Sequence, residues 1–333
     1  MDMALRERSI SRCVWCAKAV AILTVIIAHS DFQNVSPGWL VILFQRIGSM
    51  GVPVFLLLSA YYYRPTKYAS FRELLKSRKT TFFPWIILAG ACYLWSNLQM
   101  GKEINVQSCL QFVLGYNSLF YFLSVLILLQ ILFYFFRYVS IRKMAGVCIV
   151  LSIISTELAA FGITDDIIAR AGLTNYLNIF NWVGFFSIGL YLQTKEDSRI
   201  IGYIKKYFGW AILIWGILFA LSGFIEHGQY GYFSILGIFM ESASAILILR
   251  FAWSICRYDW IVKLGKYSFA IYLVHINIVP IVNKFLGGNA FGEIASPFCT
   301  YIISFLLIWC ACMLLKKMKM SFLTKYLLGV RME

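Results

Sequence analysis

A chain of 333 residues that is 61% hydrophobic and 17% aromatic but only 14% charged lies far from soluble domains, in which about a quarter of residues are charged. That composition excludes a soluble enzyme. The net charge of +15 calls for no nucleic-acid partner, because basic loops between apolar spans account for it and point to membrane lipids.

In chain order, apolar runs long enough to cross a hydrocarbon core of about 30 Å as helices predict spans over 13–30, 46–63, 80–98, 118–136, 145–162, 177–193, 207–225, 234–252, 267–283 and 298–315. Strands with alternating polarity are absent, which argues against a β-barrel and for helices that satisfy their own backbone hydrogen bonds in lipid. The expected fold class is all-α, a polytopic transmembrane bundle of about ten helices. No Pro/Ser-rich or low-complexity linker separates the spans, so residues 1–333 are expected to form one integral membrane domain. The first span resembles a signal peptide ending in Ala28-His29-Ser30, but Lys18 inside its apolar stretch argues against cleavage.

Charge sets the expected orientation. With the N-terminus in the cytoplasm, only Arg46, Lys102, Arg170 and Lys284 of the 30 Lys and Arg residues fall on the outer side, a strong positive-inside bias that also places the C-terminus inside. Of the cysteines only Cys109 is clearly outer, so no disulfide framework is expected. Cys13 and Cys16 have metal-like spacing without a second pair, and no metal site is expected. The longest outer segments, 99–117, 163–176 and 284–297, carry Glu103, Asp165, Asp166 and Glu293 beside glycines and asparagines, as suits short ordered caps over a cavity.

Ionisable groups inside a bilayer are costly and mark functional sites by default. Lys18 and His29 lie eleven residues apart on the first span, about 16 Å along the axis and within about 20° of one face. A snorkelling Lys and an interfacial His would be the bland reading. Glu241, on the eighth span with Ser244, is expected to face inward; it either orients His29 or bonds a neighbouring helix as the protonated acid. Ser268, Tyr272 and His275 repeat at i, i+4 and i+7 on the ninth span and share one face, where they line a site or fix helix packing. Asn175, Asn178 and Asn181 open the sixth span and either hydrogen-bond a substrate or cap the helix. Glu157 either lines the same cleft or sits at the interface. His227 falls in a short loop and is assigned no role.

Three stretches carry a family resemblance. Lys18-Ala-Val-Ala-Ile-Leu-Thr-Val-Ile-Ile-Ala-His29 resembles the opening helix of the acyltransferase 3 family, in which Arg or Lys is followed after ten residues by His. Gly51-Val-Pro-Val-Phe-Leu-Leu-Leu-Ser59 is similar to its second-span pattern, and Leu264-Gly-Lys-Tyr-Ser268-Phe-Ala-Ile-Tyr272-Leu-Val-His275 to its late motif. Ala60 replaces the usual Gly after Ser59, Tyr121-Phe122-Leu123 stands where Trp-Phe-Leu is common, and Lys76-Ser-Arg78-Lys79 takes the place of an Arg-x-x-Arg. That loop stays basic but loses paired guanidinium forks.

The resemblance implies an O-acyltransferase of a bacterial inner membrane. Its members are held to pass an acyl group, usually acetyl, from cytoplasmic acyl-CoA to a sugar hydroxyl of a cell-surface polysaccharide or its lipid-linked precursor. No permanently bound cofactor is expected; acetyl-CoA would be the donor co-substrate. The phosphates of coenzyme A would meet Arg72, Lys76, Arg78 and Lys79, with Lys18 reaching the thioester end. His29 would be the base for a hydroxyl that is itself a poor nucleophile, Glu241 would support it, and Ser59, Ser268, Tyr272, His275 and Asn178 would line the site. A polytopic transporter or flippase for a sugar-linked or small solute is the alternative; inverted repeats would favour it, and none are evident. No Walker loop, dinucleotide fingerprint or zinc-protease helix occurs.

Overall fold

The computed structural model describes residues 3–99, 101–115, 120–163, 174–221 and 233–330, with side chains from Ile10 onward. Asp165, Asp166, Arg170 and His227 lie outside the described residues. The helices are α1 Met3–Ala28, α2 Gly38–Ser49, α3 Gly51–Tyr61, α4 Phe71–Ser77, α5 Lys79–Pro84, α6 Gly90–Gln99, α7 Val106–Leu114, α8 Tyr121–Phe135, α9 Ile141–Ala160, α10 Val183–Gln193, α11 Asp197–Leu221, α12 Ile235–Ile255, α13 Asp259–Leu286, α14 Ala290–Lys317 and α15 Ser321–Leu327. No strand occurs among the described residues.

Among the described residues eight helical stretches are long and apolar enough to cross a membrane, and α8 and α10 are shorter apolar helices. The described residues therefore form an all-helical polytopic bundle, and the ten predicted spans correspond to these eight stretches and the two shorter helices. The sixth predicted span begins late: Asn175–Leu177 and Ile179–Asn181 are single 3-10 turns, and the α-helix starts at Val183. Irregular backbone at such a depth is tolerated where protein rather than lipid surrounds it, and α10 packs between α3 and α9.

The second span is longer than predicted, beginning at Gly38, and it breaks at Met50 between α2 and α3. Pro53 explains the break, because it lacks the amide that would bond the Ser49 carbonyl. Pro84 likewise precedes the wide helical turn Trp85–Ala89 that joins α5 to α6. Within the outer segment predicted as a cap, α7 is an extra helix. It starts on a reciprocal Asn105–Ser108 capping box and ends at Gly115 with φ 77°.

At the centre stands α1, packed against α2, α3, α12 and α13. Close approach is possible because glycines face it. A Cβ on Gly265 of α13 would lie 1.8 Å from the Trp15 carbonyl oxygen, and one on Gly51 of α3 would lie 2.6 Å from the Ala21 carbonyl oxygen. Both glycines belong to the motif segments, so in a membrane, where packing rather than the hydrophobic effect joins helices, they bring all three motifs together. One buried apolar cluster runs from Cys13 on α1 to Val330 beyond α15.

Candidate active site around His29

α1 stops where turn-forming residues begin, at Ser30-Asp31. His29 is the first residue past the helix, its amide bonding the Ile26 carbonyl at 3.1 Å. The loop that follows is pinned to the far end of the bundle. Buried Glu293 accepts hydrogen bonds from the Asn34 amide and side chain at 2.8 and 2.6 Å, and Asn283 donates to Asp31. His29 thus has a fixed place on the wall of a cavity of about 830 Å³. Ser30, Asp31 and Gln33 line it from the loop, Gln45 and Ser49 from α2, and Tyr121, Thr174 and Tyr176 from the opposite side. A cavity with a few convergent polar groups and an imidazole on its wall is the usual form of a small-substrate site.

Behind His29 stands His275 of α13, with ring centres 5.4 Å apart and planes inclined by 42°. His275 is buried, and its Nδ1 lies 2.7 Å from the Tyr272 carbonyl oxygen one turn earlier. Tyr272 in turn packs edge-on against Phe120 and Phe122. Two of the three motif segments therefore meet at their histidines.

Lower on α1, the Lys18 ammonium lies 4.8 Å from the centre of the Trp15 ring and 5.9 Å from that of Tyr62. Among the described residues the ion pair is Arg12–Asp259, at 2.6 Å, and it leaves Lys18 held by ring faces rather than by a carboxylate. The predicted basic group divides. Arg78 is half-buried, hydrogen-bonded to the Tyr68 hydroxyl and set over the Tyr63 and Tyr68 rings. With Lys79 it borders an apolar crevice of about 210 Å³ formed by Leu74, Phe82, Phe83 and Ile127. Arg72 and Lys76 are exposed on α4 and lie outside that crevice.

The family model described as an acyltransferase domain matches residues 14–317, nearly the whole chain. The chain belongs to the acyltransferase 3 family. It is a multi-pass membrane acyltransferase. No individual curated protein and no solved structure matches it.

Within this acyltransferase the remaining predicted residues separate into those near the cavity and those that brace the bundle. Glu241 is buried on α12, and the groups within its electrostatic reach are Arg46, Tyr121 and Tyr176. The ring that stands against His29 is that of His275. Arg46, Tyr121 and Tyr176 were not read as site residues from the sequence. Arg46 did carry a signal, as one of few basic residues expected on the outer side and the first residue of a predicted span.

Ser268 and Tyr272 are buried on α13 beside His275. Ser59 is half-buried on α3 and does not line the cavity. Asn178 caps a 3-10 turn by accepting the Phe180 amide and donates to Ser155 at 3.0 Å. Asn181 accepts from Ser155 and donates to the Asn175 carbonyl. Glu157 accepts the Ile235 amide at 2.6 Å and caps α12, where a carboxylate also meets the positive end of the helix dipole.

Proposed function

We propose that this acyltransferase moves an acyl group, acetyl in the simplest case, from acyl-CoA to a hydroxyl of a sugar acceptor, with His29 as the general base. The acceptor would be a cell-surface polysaccharide or its lipid-linked precursor at the bacterial inner membrane. The observation that carries the reading is the position of His29, just past the end of α1, on the wall of a cavity with convergent polar groups, while Lys18 sits midway along the same helix. A hydroxyl-rich ring suits that cavity. Tyr121 and Tyr176 supply aromatic faces, their ring centres 4.8 Å apart, and Asp31, Gln33, Gln45 and Ser49 supply hydrogen-bonding groups.

The balanced reaction is short. An acceptor hydroxyl gives its proton to an imidazole nitrogen of His29 as its oxygen attacks the thioester carbonyl. The C–S bond then breaks, and the thiolate takes the proton back, leaving an ester and free coenzyme A. Imidazole suits both transfers because its ordinary pKa lies near neutrality. The donor would enter from the Lys18 end, in the orientation with both termini in the cytoplasm. Arg78 and Lys79 would meet its phosphates, Arg72 and Lys76 would add to the local positive field, and Lys18 would meet the end nearest the thioester.

The test is reconstitution of the purified protein in lipid with labelled acetyl-CoA and a glycan acceptor. His29→Ala is expected to lower kcat by about 10²- to 10⁴-fold. Transfer that survives intact in that variant removes His29 as the base.

A further inference from the structure

His275 has one nitrogen too many for a packing residue. A carbonyl oxygen only accepts, so the 2.7 Å contact with Tyr272 places the ring proton on Nδ1. The other nitrogen, Nε2, is then a bare lone pair. It is buried and has no hydrogen-bond partner, in an interior where nearly every polar atom finds one. The titratable group that faces His275 from another helix is His29.

The spacing fits a pair. A nitrogen sits just over an ångström from the centre of its imidazole ring, so rings joined by a linear N–H···N bond of about 2.9 Å have centres about 5.2 Å apart. The observed 5.4 Å is within a few tenths of that.

We propose that His275 is a positioning residue: its Nε2 accepts the ring N–H of His29 and so holds His29 in the tautomer whose other nitrogen opens onto the cavity as a lone pair. This rests on the reading of His29 as the base. A neutral imidazole left to itself divides between two tautomers, and one of them points a hydrogen, useless to a base, at the hydroxyl. The chain from the Tyr272 carbonyl through His275 to His29 selects the other. When His29 takes the hydroxyl proton, its N–H toward His275 becomes a charge-assisted donor and the bond strengthens. The proton that moves in the reaction is the one on the cavity side; it passes to the departing thiolate, and His275 ends as it began.

Two measurements test this together. In protein labelled with ¹⁵N-histidine and reconstituted in lipid, with signals assigned through His29→Gln and His275→Gln, each of the two rings is expected to show a single tautomer. His275→Leu is expected to return His29 to a mixture. In transfer assays His275→Leu is expected to lower kcat by about 10- to 100-fold, the usual size for losing a group that orients a histidine, with the KM for acyl-CoA within about twofold. His275→Gln, which offers an amide oxygen near the place of Nε2, is expected to recover part of the loss. Mixed tautomers of His29 in the unaltered protein overturn the proposal, as does an unchanged kcat in His275→Leu. The ring signals decide the pairing even if no acyl transfer is seen, so a failure of the functional reading and a failure of this one give different results.

Discussion

α1 and α11 are both apolar helices of membrane-crossing length, yet 61% of the most apolar stretch of α1 is buried and only 11% of that of α11. Around α1 are α2, α3, α12 and α13, and it carries Lys18 with His29 just past its end. On α11 the large side chains Trp210, Ile212, Leu213 and Ile217 are each at least half exposed, as fits a face turned toward lipid. Apolarity alone does not separate the two. What separates them is the set of glycines on neighbouring helices, Gly51 and Gly265, placed where the α1 backbone passes.

The sharpest way to break this contrast is at Gly265. A Cβ there would lie 1.8 Å from the Trp15 carbonyl oxygen, a backbone atom with no rotamer to move. Gly265→Ala is therefore expected to force α1 and α13 apart and to cost at least about 3 kcal/mol, the upper range for overpacking. Thermal unfolding in detergent, followed by the loss of monodisperse protein, measures it. Unchanged stability means that the helices have slack at the crossing and that the histidine pair is not held by it.

Charge removal is the next step down. Lys18→Met keeps the stem between the Trp15 and Tyr62 rings and deletes the ammonium. If this cation meets the donor, the KM for acyl-CoA rises by about tenfold or more, since a hydrogen bond to a charged group contributes about 1.5–3 kcal/mol. Lys205→Met, at an exposed position on α11, is the matched control and is expected to leave KM unchanged. Equal effects at the two positions assign Lys18 to general surface charge.

Which of these features can be read in the sequence follows from how local they are. Long apolar runs report themselves, and the first run carries Lys18 within α1 and leads directly to His29, one residue past its end. Asn178 had a capping alternative that short-range hydrogen-bonding rules supply, and it caps a 3-10 turn, whereas the bond from the Ile235 amide to Glu157 joins residues 78 apart in sequence and has no local signal. The meeting of His29 with His275 depends on how α1 and α13 cross, which no local pattern encodes. Glu241 illustrates the limit. Helix rise estimates its depth, but depth says nothing about which side of α12 it lies on, and that side faces Arg46, Tyr121 and Tyr176. The shortness of α8 and α10 was hidden for a similar reason, since buried apolar sequence looks alike whether lipid or protein covers it.

The smallest predicted effect is the one most specific to the contrast. Gly209 and Gly216 lie within α11, and a Cβ added at either meets nothing within 4 Å. Both are in the helix interior, where glycine costs about 0.5–1 kcal/mol relative to alanine because its unfolded backbone has more freedom to lose. Gly209→Ala and Gly216→Ala should then leave transfer activity unchanged and hold or raise the unfolding temperature slightly. The substitution is chemically the same as at Gly265, and only the neighbourhood differs. A loss of stability at either position comparable to that of Gly265→Ala means that the Gly209 and Gly216 side of α11, away from its packing against α12, is covered as well, and that the lipid-facing side of the bundle lies elsewhere.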